Sequence, residues 1–571
     1  MNADRLLALY ERIVDAPDAV SRLRRFILDL AVRGKLVPQA PNDEPASDLL
    51  KRIATERVRL VKAGEIRNPK PLPPLPEIPF SIPSNWRWSQ IAEIGVVSPR
   101  NEAPDSLVAS FVPMPLIAAE YGIPNGHEAR PWREIKKGYT HFAEGDVGLA
   151  KITPCFENGK STVFRNLNGG VGAGTTELHV VRPLFVDADY ILIFFKSPYF
   201  IETGIPRMTG TAGQKRVPTE YFANSPFSLP PLAEQHRIVA KVNELMTLCD
   251  RLEKTREQRE ATRDRLTAAT FARLNSPDPK TFHADVQFAL GALTALATRP
   301  DQIKQLRQTI LNLAVRGKLV PQDPNDEPAS ELLKRIKREM SSAESDRSAN
   351  ETCPFDVPRN WAWARLGQLV AHSDAGWSPK TEDHPRSGNE WGVLKVSAVS
   401  WDKFRAWENK QVLPGTVPRV QAQVRSGDFL ISRANTSELV ARAVIVDEEP
   451  VNLMMSDKIV RLRLSSLCDG RFVLFVNNYA DFARAHYVRH ASGVSPSMKN
   501  VSRDVIMALP CPIPPLAEQH RIVTKVDELL DLCDRLEESL AARDTTRVRL
   551  LDALLVEALA PVTDRKMQAA E

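Results

Sequence analysis

Apolar residues recur at steps of three and four from Ile238 through Val242, Leu245, Cys249 and Leu252, with charged residues between them, and helix-favouring sequence continues to about Leu274. The pattern predicts a helix over about 231–274, roughly 60 Å long at about 1.5 Å per residue and too long for an ordinary domain helix. It returns from Leu516 to about Leu559 and then gives way to a polar tail. A shorter helical stretch runs from Val20 to Val32, and Gly34 stands just past its end, where a left-handed cap is wanted. After an extended step, Lys35 to Gln39, the P-N-D-E-P turn offers Asp43 or Asn42 as N-cap for a helix from Ala46 to Ile53. A further short helix is expected at Leu7–Ile13, opposite Leu290–Leu296. Thr162–Phe164, Leu178–Val181 and Ile459–Leu464 read as short strands between Gly, Asn and Asp turns.

These elements are duplicated. Leu23 to Ile53 returns ungapped as Leu306 to Ile336, 283 residues later, and PLAEQHRIV from Pro231 returns from Pro515, 284 residues later. The intervening segments differ in sequence, yet both open on N-W-x-W, at Asn85-Trp86-Arg87-Trp88 and Asn360-Trp361-Ala362-Trp363. The expected division is 1–84 helical, 85–230 a mixed α/β domain, 231–357 helical, 358–514 a second mixed domain, and 515–571 a long helix with a tail. The proline-rich run Pro69 to Pro83 is expected to be stiff and extended. Each long helix needs an apolar partner: Asp301–Val315 for the central one, and Ala19–Val32 for the C-terminal one, which would close the chain on itself. Near-identical supports carrying unlike modules suit a two-part target.

A net charge of +5 and a sequence pI near 8.8 tolerate a polyanion without demanding one. Six cysteines form no C-x-x-C pair and read as reduced core residues of a cytoplasmic protein. The start, MNADRLLALYERI, has no signal-peptide pattern. Gly159-Lys160-Ser161 ends like a phosphate loop, but its first glycine position holds Pro154, which has no N–H for a phosphate. Neither G-x-G-x-x-G nor an N-P-P-[YF] type tetrapeptide occurs. His236 and His520 have no neighbouring metal ligand in sequence and read as packing at a helix start. No catalytic or metal site is expected. In both modules a Gly-Asp pair opens an apolar strand that ends in a cation, Lys151 or Arg433. Around them stand side chains suited to phosphates and base edges: Asn158, Lys160, Thr175, Thr176, Gln214, Lys215 and Arg216 in the first module, and Ser432, Asn435, Thr436, Lys458, Lys499 and Asn500 in the second.

With P-L-A-E-Q-H-R-I at 231 and 515, L-A-V-R-G-K-L-V-P-Q at 30 and 313, the N-W-x-W entries and GDVGLAKITPCFENGK from Gly145, the chain resembles the DNA-specificity subunit of type I restriction-modification systems over nearly its whole length. The resemblance implies an α+β fold with a pseudo-two-fold internal repeat, in which two target recognition domains are separated by long antiparallel, coiled-coil-like helical regions. It implies a non-catalytic chain that binds double-stranded DNA at a bipartite site and docks two methyltransferase subunits and, through the complex, restriction and translocase subunits. S-adenosylmethionine, ATP and Mg would then belong to those partners, with no cofactor in this chain. One departure is Gly148, where the family's strand usually carries a bulkier residue. A specificity subunit of a compact enzyme with a fused methyltransferase-nuclease partner, and a peptide-binding scaffold, stay open as alternatives.

Overall fold

The computed structural model describes residues 15–559 apart from 17, 69–70, 76–77, 212, 277, 279, 340–352, 401–402 and 494–497. The helix expected at Leu7–Ile13 and the tail after Leu559 lie outside the described residues. The chain divides into two compact units, Met1–Glu260 with Asp544–Glu571, and Ala261–Arg543. Six helices support them: α1 (Ala19–Val32), α2 (Ala46–Lys62), α3 (Leu232–Asn275), α4 (Pro300–Val315), α5 (Ala329–Glu339) and α6 (Leu516–Leu559). Both dividing points fall inside the 44-residue helices α3 and α6.

The short helices end as their sequence dictates. Gly34 and Gly317 each take φ of +66°, and a Cβ there would lie 2.5 Å from the Pro83 ring or 2.6 Å from that of Pro358. Only glycine satisfies both the left-handed turn and the close approach. The start of α2 differs from expectation. Its N-cap is Pro45 with no side-chain cap, the Ala46 N–H donates to the Asn85 carbonyl at 3.0 Å, and the Asp43 carboxylate is taken by Arg237 of α3 at 2.6 Å. An ion pair 194 residues away wins over the local cap, and α2 runs on to Lys62, with Leu60 buried and Arg57 donating to the Ala92, Glu93 and Gly95 carbonyls. At Leu290–Leu296 the expected single helix is broken, into Phe282–Gly291 and Leu293–Leu296.

Each long helix serves two partners in succession. The first half of α3 buries Ile238, Val242, Met246 and Cys249 in one core with Val20, Ile27, Leu28 and Ala31 of α1, and Arg24 donates to Asp250 and Glu253 at 2.7 Å. Its last turns meet α4: Asp264 pairs with Arg299, and Asn275 bonds Thr309 at 3.3 Å and Asn312 at 3.2 Å. In the copy, Ile522, Val526, Cys533 and Leu540 of α6 pack with Ile303, Ile310, Leu311 and Ala314 of α4, while Leu551 and Leu554 meet Ala16 and Ala19, and Arg22 pairs with Asp552. The partners expected from sequence therefore hold only the C-terminal halves; the N-terminal halves pack on the short helix of their own repeat. Near-identical blocks present the same apolar positions to either copy, and a helix of roughly 66 Å is longer than either short helix, at about 21–24 Å, can cover.

Each mixed domain leaves and rejoins the supports at one place. In the first, β1 (Arg87–Gln90) pairs antiparallel with β10 (Pro226–Leu229), Arg87 opposite Leu229. Between them β2 (Gly95–Val97), β3 (Val108–Val112), β4 (Glu128–Pro131), β5 (Thr140–Ala143), β6 (Val147–Ala150), β7 (Ser161–Val163), β8 (Val171–Gly174) and β9 (Leu178–Pro183) form two sheets, ordered β2-β9-β6-β7 and β4-β3-β8-β5. The second domain holds β11 (Ala362–Arg365), β12 (Val370–Ala375), β13 (Gly392–Leu394), β14 (Asn409–Gln411), β15 (Phe429–Ser432), β16 (Ala434–Asn435), β17 (Ala443–Ile445), β18 (Leu453–Met454), β19 (Ile459–Leu464), β20 (Lys499–Asn500) and β21 (Pro510–Ile513). Here β11 pairs with β21, and the sheets run β12-β19-β15-β17, β14-β13-β18 and β16-β20. Unlike sequences thus build the same central sheet and the same antiparallel-then-parallel second sheet.

The Gly148 departure has a steric cause. A Cβ at Gly148 would sit 2.6 Å from the Phe164 ring, which stacks on Phe142 with centroids 3.6 Å apart. The expectation for the cysteines needs correction: all six are free thiols, and Cys249, Cys511 and Cys533 are buried, but Cys353 is exposed and Cys155 and Cys468 are partly exposed. Among the described residues no helix is long and apolar enough to cross a membrane.

Candidate nucleic-acid interface

The most repetitive motif, P-L-A-E-Q-H-R, turns out to fasten each domain to its support. Glu518 accepts from the Trp361 indole at 3.0 Å and from Gln322 at 2.6 Å, and burial raises its carboxyl above the usual range. Glu234 takes Gln39 at 2.7 Å. Gln519 accepts the Asp469 N–H at 2.8 Å and donates to the Pro514 carbonyl at 3.0 Å, and Asp469 in turn caps the helix Gly470–Tyr479. Gln235 repeats this with Asp187 at 2.8 Å and Pro230 at 2.9 Å. His236 and His520 stand 3.5 Å and 3.9 Å from those same capping aspartates. Gln519 is fully buried, so Gln519→Ala leaves an N–H and a carbonyl unpaired, and we expect roughly 2–4 kcal/mol of lost stability in urea unfolding.

The Gly-Asp pairs are also structural. Gly145 and Gly427 take φ of +85° and +81°. Asp146 closes its turn by accepting the Ala143 N–H at 2.7 Å and is paired with Arg182 at 2.8 Å; Asp428 accepts the Arg425 N–H at 2.8 Å and Arg461 at 3.0 Å. These turns launch β6 and β15 toward Lys151 and Arg433, where the two domains share one backbone pattern. Lys151 N donates to the Glu177 carbonyl at 3.0 Å and Val217 N to the Lys151 carbonyl at 2.8 Å; Arg433 N donates to Lys458 at 2.7 Å and Val501 N to Arg433 at 2.9 Å. One residue on, Ile152 lies opposite Arg216, and Ala434 opposite Asn500. Each partner is one of two paired hairpin ends: Thr209 and Arg216 exchange backbone bonds of 3.0 and 2.8 Å, and Ser492 and Asn500 exchange bonds of 2.8 and 2.9 Å. Gly210 and Gly493 open them with φ of +124° and +114°, and a Cβ would meet the Gln214 carbonyl at 2.9 Å or that of Met498 at 2.6 Å.

This arrangement sorts the expected residues. Lys151, Gln214, Lys215 and Arg216 gather at the end of β6, with Thr175 and Thr176 in the turn before Glu177; Gln214, Lys215 and Thr176 are exposed. Arg433, Lys458, Lys499 and Asn500 gather at the end of β15, with Lys458 exposed. Others are committed within the fold. Ser432 is fully buried with its hydroxyl against the Leu439 and Arg442 carbonyls, and Asn435 donates to Ser400 at 2.7 Å while accepting the Thr436 N–H at 2.8 Å. Lys160 leaves the opposite edge of β6 and reaches the Met114 carbonyl at 3.4 Å. Asn158 lines a separate cleft of about 1130 Å³ beside α1 and α3.

No family model matches the chain. It is 42% identical over 566 residues, covering 95% of this chain and 94% of the relative, to the type I restriction enzyme EcoEI specificity subunit of Escherichia coli. The EcoAI specificity subunit of the same organism is 37% identical over 568 residues, 94% of this chain and 93% of the relative. The chain is a type I restriction enzyme specificity subunit. A crystal structure of the HsdS subunit from Thermoanaerobacter tengcongensis is 19% identical, with a TM-score of 0.46 over 84% of this chain and 98% of that one.

Three features of the specificity subunit escape sequence reading. Glu177 grips Arg216 with both oxygens, at 2.9 Å to Nε and 2.9 Å to Nη2, and the Arg216 hydrogen bond holds its carboxyl below the usual range. Lys196, buried in the wall of the cleft, donates to the carbonyls of Ala118, Ala119 and Gly159 at 3.3, 2.9 and 3.0 Å, and burial lowers its pKa to about 7. Behind the first hairpin, His179 Nε2 bonds the Val217 carbonyl at 2.9 Å and its ring stacks on Phe222; burial lowers its pKa to about 4. The unfolded chain takes up a proton near pH 6.5 while folded His179 stays neutral. Its contribution is therefore complete above about pH 6.5 and lost progressively toward pH 4, about 3 kcal/mol in all. Unfolding of His179→Gln should lose correspondingly less stability than the unaltered chain between pH 7 and pH 4.

Proposed function

We propose that this subunit binds double-stranded DNA at a two-part target and directs methylation and restriction by other chains. In this reading residues 85–230 and 358–514 are the recognition domains, one for each half-site, and 1–84, 231–357 and 515–571 are the helical regions that space them and dock two methyltransferase subunits and, through the complex, the restriction and translocase subunits. S-adenosylmethionine, ATP and Mg act in those partners in the cytoplasm. The observation that supports it most is the shared backbone junction at Lys151 and Arg433, built by unlike sequences and rimmed by cationic and amide side chains in both domains.

Salt tests the reading. Each phosphate neutralised contributes about −0.9 to the slope of log K against log salt for duplex DNA. Binding of the full chain, assembled with its methyltransferase subunits, to duplex DNA from 50 to 200 mM salt should weaken steeply, with a slope of several units. A flat response, as an apolar peptide groove would give, overturns it.

A further inference from the structure

The backbone bonds align the two domains residue by residue where their sequences do not. Lys151 corresponds to Arg433, Glu177 to Lys458, Thr209 to Ser492, Arg216 to Asn500 and Val217 to Val501, since each pair makes the same N–H to carbonyl bonds. The residue before Arg216 is Lys215, and the residue before Asn500 is Lys499. We propose that the returning ends of the two hairpins, Lys215-Arg216 and Lys499-Asn500, are equivalent reading elements: the lysine they share meets the DNA backbone whatever the sequence, and the next residue, Arg216 or Asn500, reads a base edge. This rests on the DNA-recognition reading above.

A side chain kept at one place in two domains that read different sequences suits the feature both half-sites share, which is phosphate; a side chain that changes suits what differs between them, the bases. Lys215 is exposed at the end of the first hairpin, and in the second Lys499 donates to the Gly493 carbonyl at 2.6 Å. Arg216 is prepared differently. Glu177 takes Nε and Nη2, and the Gln214 carbonyl takes Nη1 at 3.0 Å, so three donors are committed and two remain among the described contacts. Two donors from a fixed guanidinium match O6 and N7 of guanine, whereas the amide of Asn500 matches N6 and N7 of adenine. The neighbour changes in step. Glu177 orients and neutralises an arginine, while its counterpart Lys458 pairs with Asp457 at 3.6 Å, and the asparagine needs neither. Glu177 is thus a positioning residue for Arg216.

The test selects bound duplexes from a randomised library with the full chain in its methyltransferase complex, and measures the salt slope for each variant. Arg216→Ala and Arg216→Lys should each abolish a guanine preference of about 5- to 150-fold at one position of one half-site. Glu177→Gln should weaken that preference without changing the salt slope. Asn500→Ala should abolish an adenine preference at one position of the other half-site. Lys215→Ala and Lys499→Ala should leave every base preference unchanged and lower the slope by about one unit each. Within each variant, the half-site read by the untouched domain reports that the complex is folded. Selection of a two-part motif that no Arg216 or Asn500 variant alters, or a base preference lost with either lysine, overturns the proposal while the DNA-recognition reading stands. Failure of the unaltered chain to select any two-part motif overturns that reading as well.

Discussion

Replacing residues 85–230 with the matching segment of a relative that recognises another target is expected to exchange one half-site completely and leave the other untouched. The entry and exit strands lie side by side, Arg87 opposite Leu229 and Gln90 opposite Pro226, so the domain is removed and replaced at one sheet edge without rerouting the chain. The substitute must keep the attachments to the support. These are the Asp187 cap held by Gln235 and the Ser228 hydroxyl on the Val32 carbonyl at 2.7 Å. Each base pair changed in the parental half-site is then expected to weaken binding of the old target by about 1–3 kcal/mol, roughly additively. Selection from a randomised duplex library checks this, and altered preference in both half-sites would contradict the independence of the domains.

A matched insertion of four residues in α3 after Glu260 and in α6 after Arg543 is expected to lengthen the non-specific spacer while both half-sites stay the same. Four helical residues add about 6 Å of rise, the length of roughly two base pairs at about 3.4 Å each. Insertion in α3 alone is expected to do less and to destabilise the chain, because α6 passes through the same two units at Arg543–Asp544 and keeps its length. The measurement is the preferred spacer in the selected duplexes. An unchanged spacer with an altered half-site would contradict a spacing role for the helices.

Periodicity made the long helices legible to within a residue or so, Leu232–Asn275 against an expected 231–274, since a stripe at steps of three and four identifies a helix without knowledge of its partner. Partner choice was another matter. Duplicated blocks offer identical faces, and only the folded chain shows α3 meeting α1 first and α4 afterwards. Local capping rules failed at Asp43, which Arg237 captures from across the chain. In the two mixed domains the residue types were visible but their commitments were not. Asn435 looked free to meet a base until Ser400 appeared beside it, and Glu177 acquires its part only when β9 brings it beside Arg216. The returning ends Arg216 and Asn500 are docked against Ile152 and Ala434, far earlier in the chain, which no local pattern announces.

The central claim, two recognition domains of one subunit reading a single two-part DNA target, is tested most directly by mapping methylated adenines in the host genome with the gene intact and with it deleted. The account predicts one motif of two defined halves around a spacer of fixed length, methylated only when the gene is present. A gene-dependent motif without a spacer, or a methylation pattern indifferent to the deletion, would contradict it.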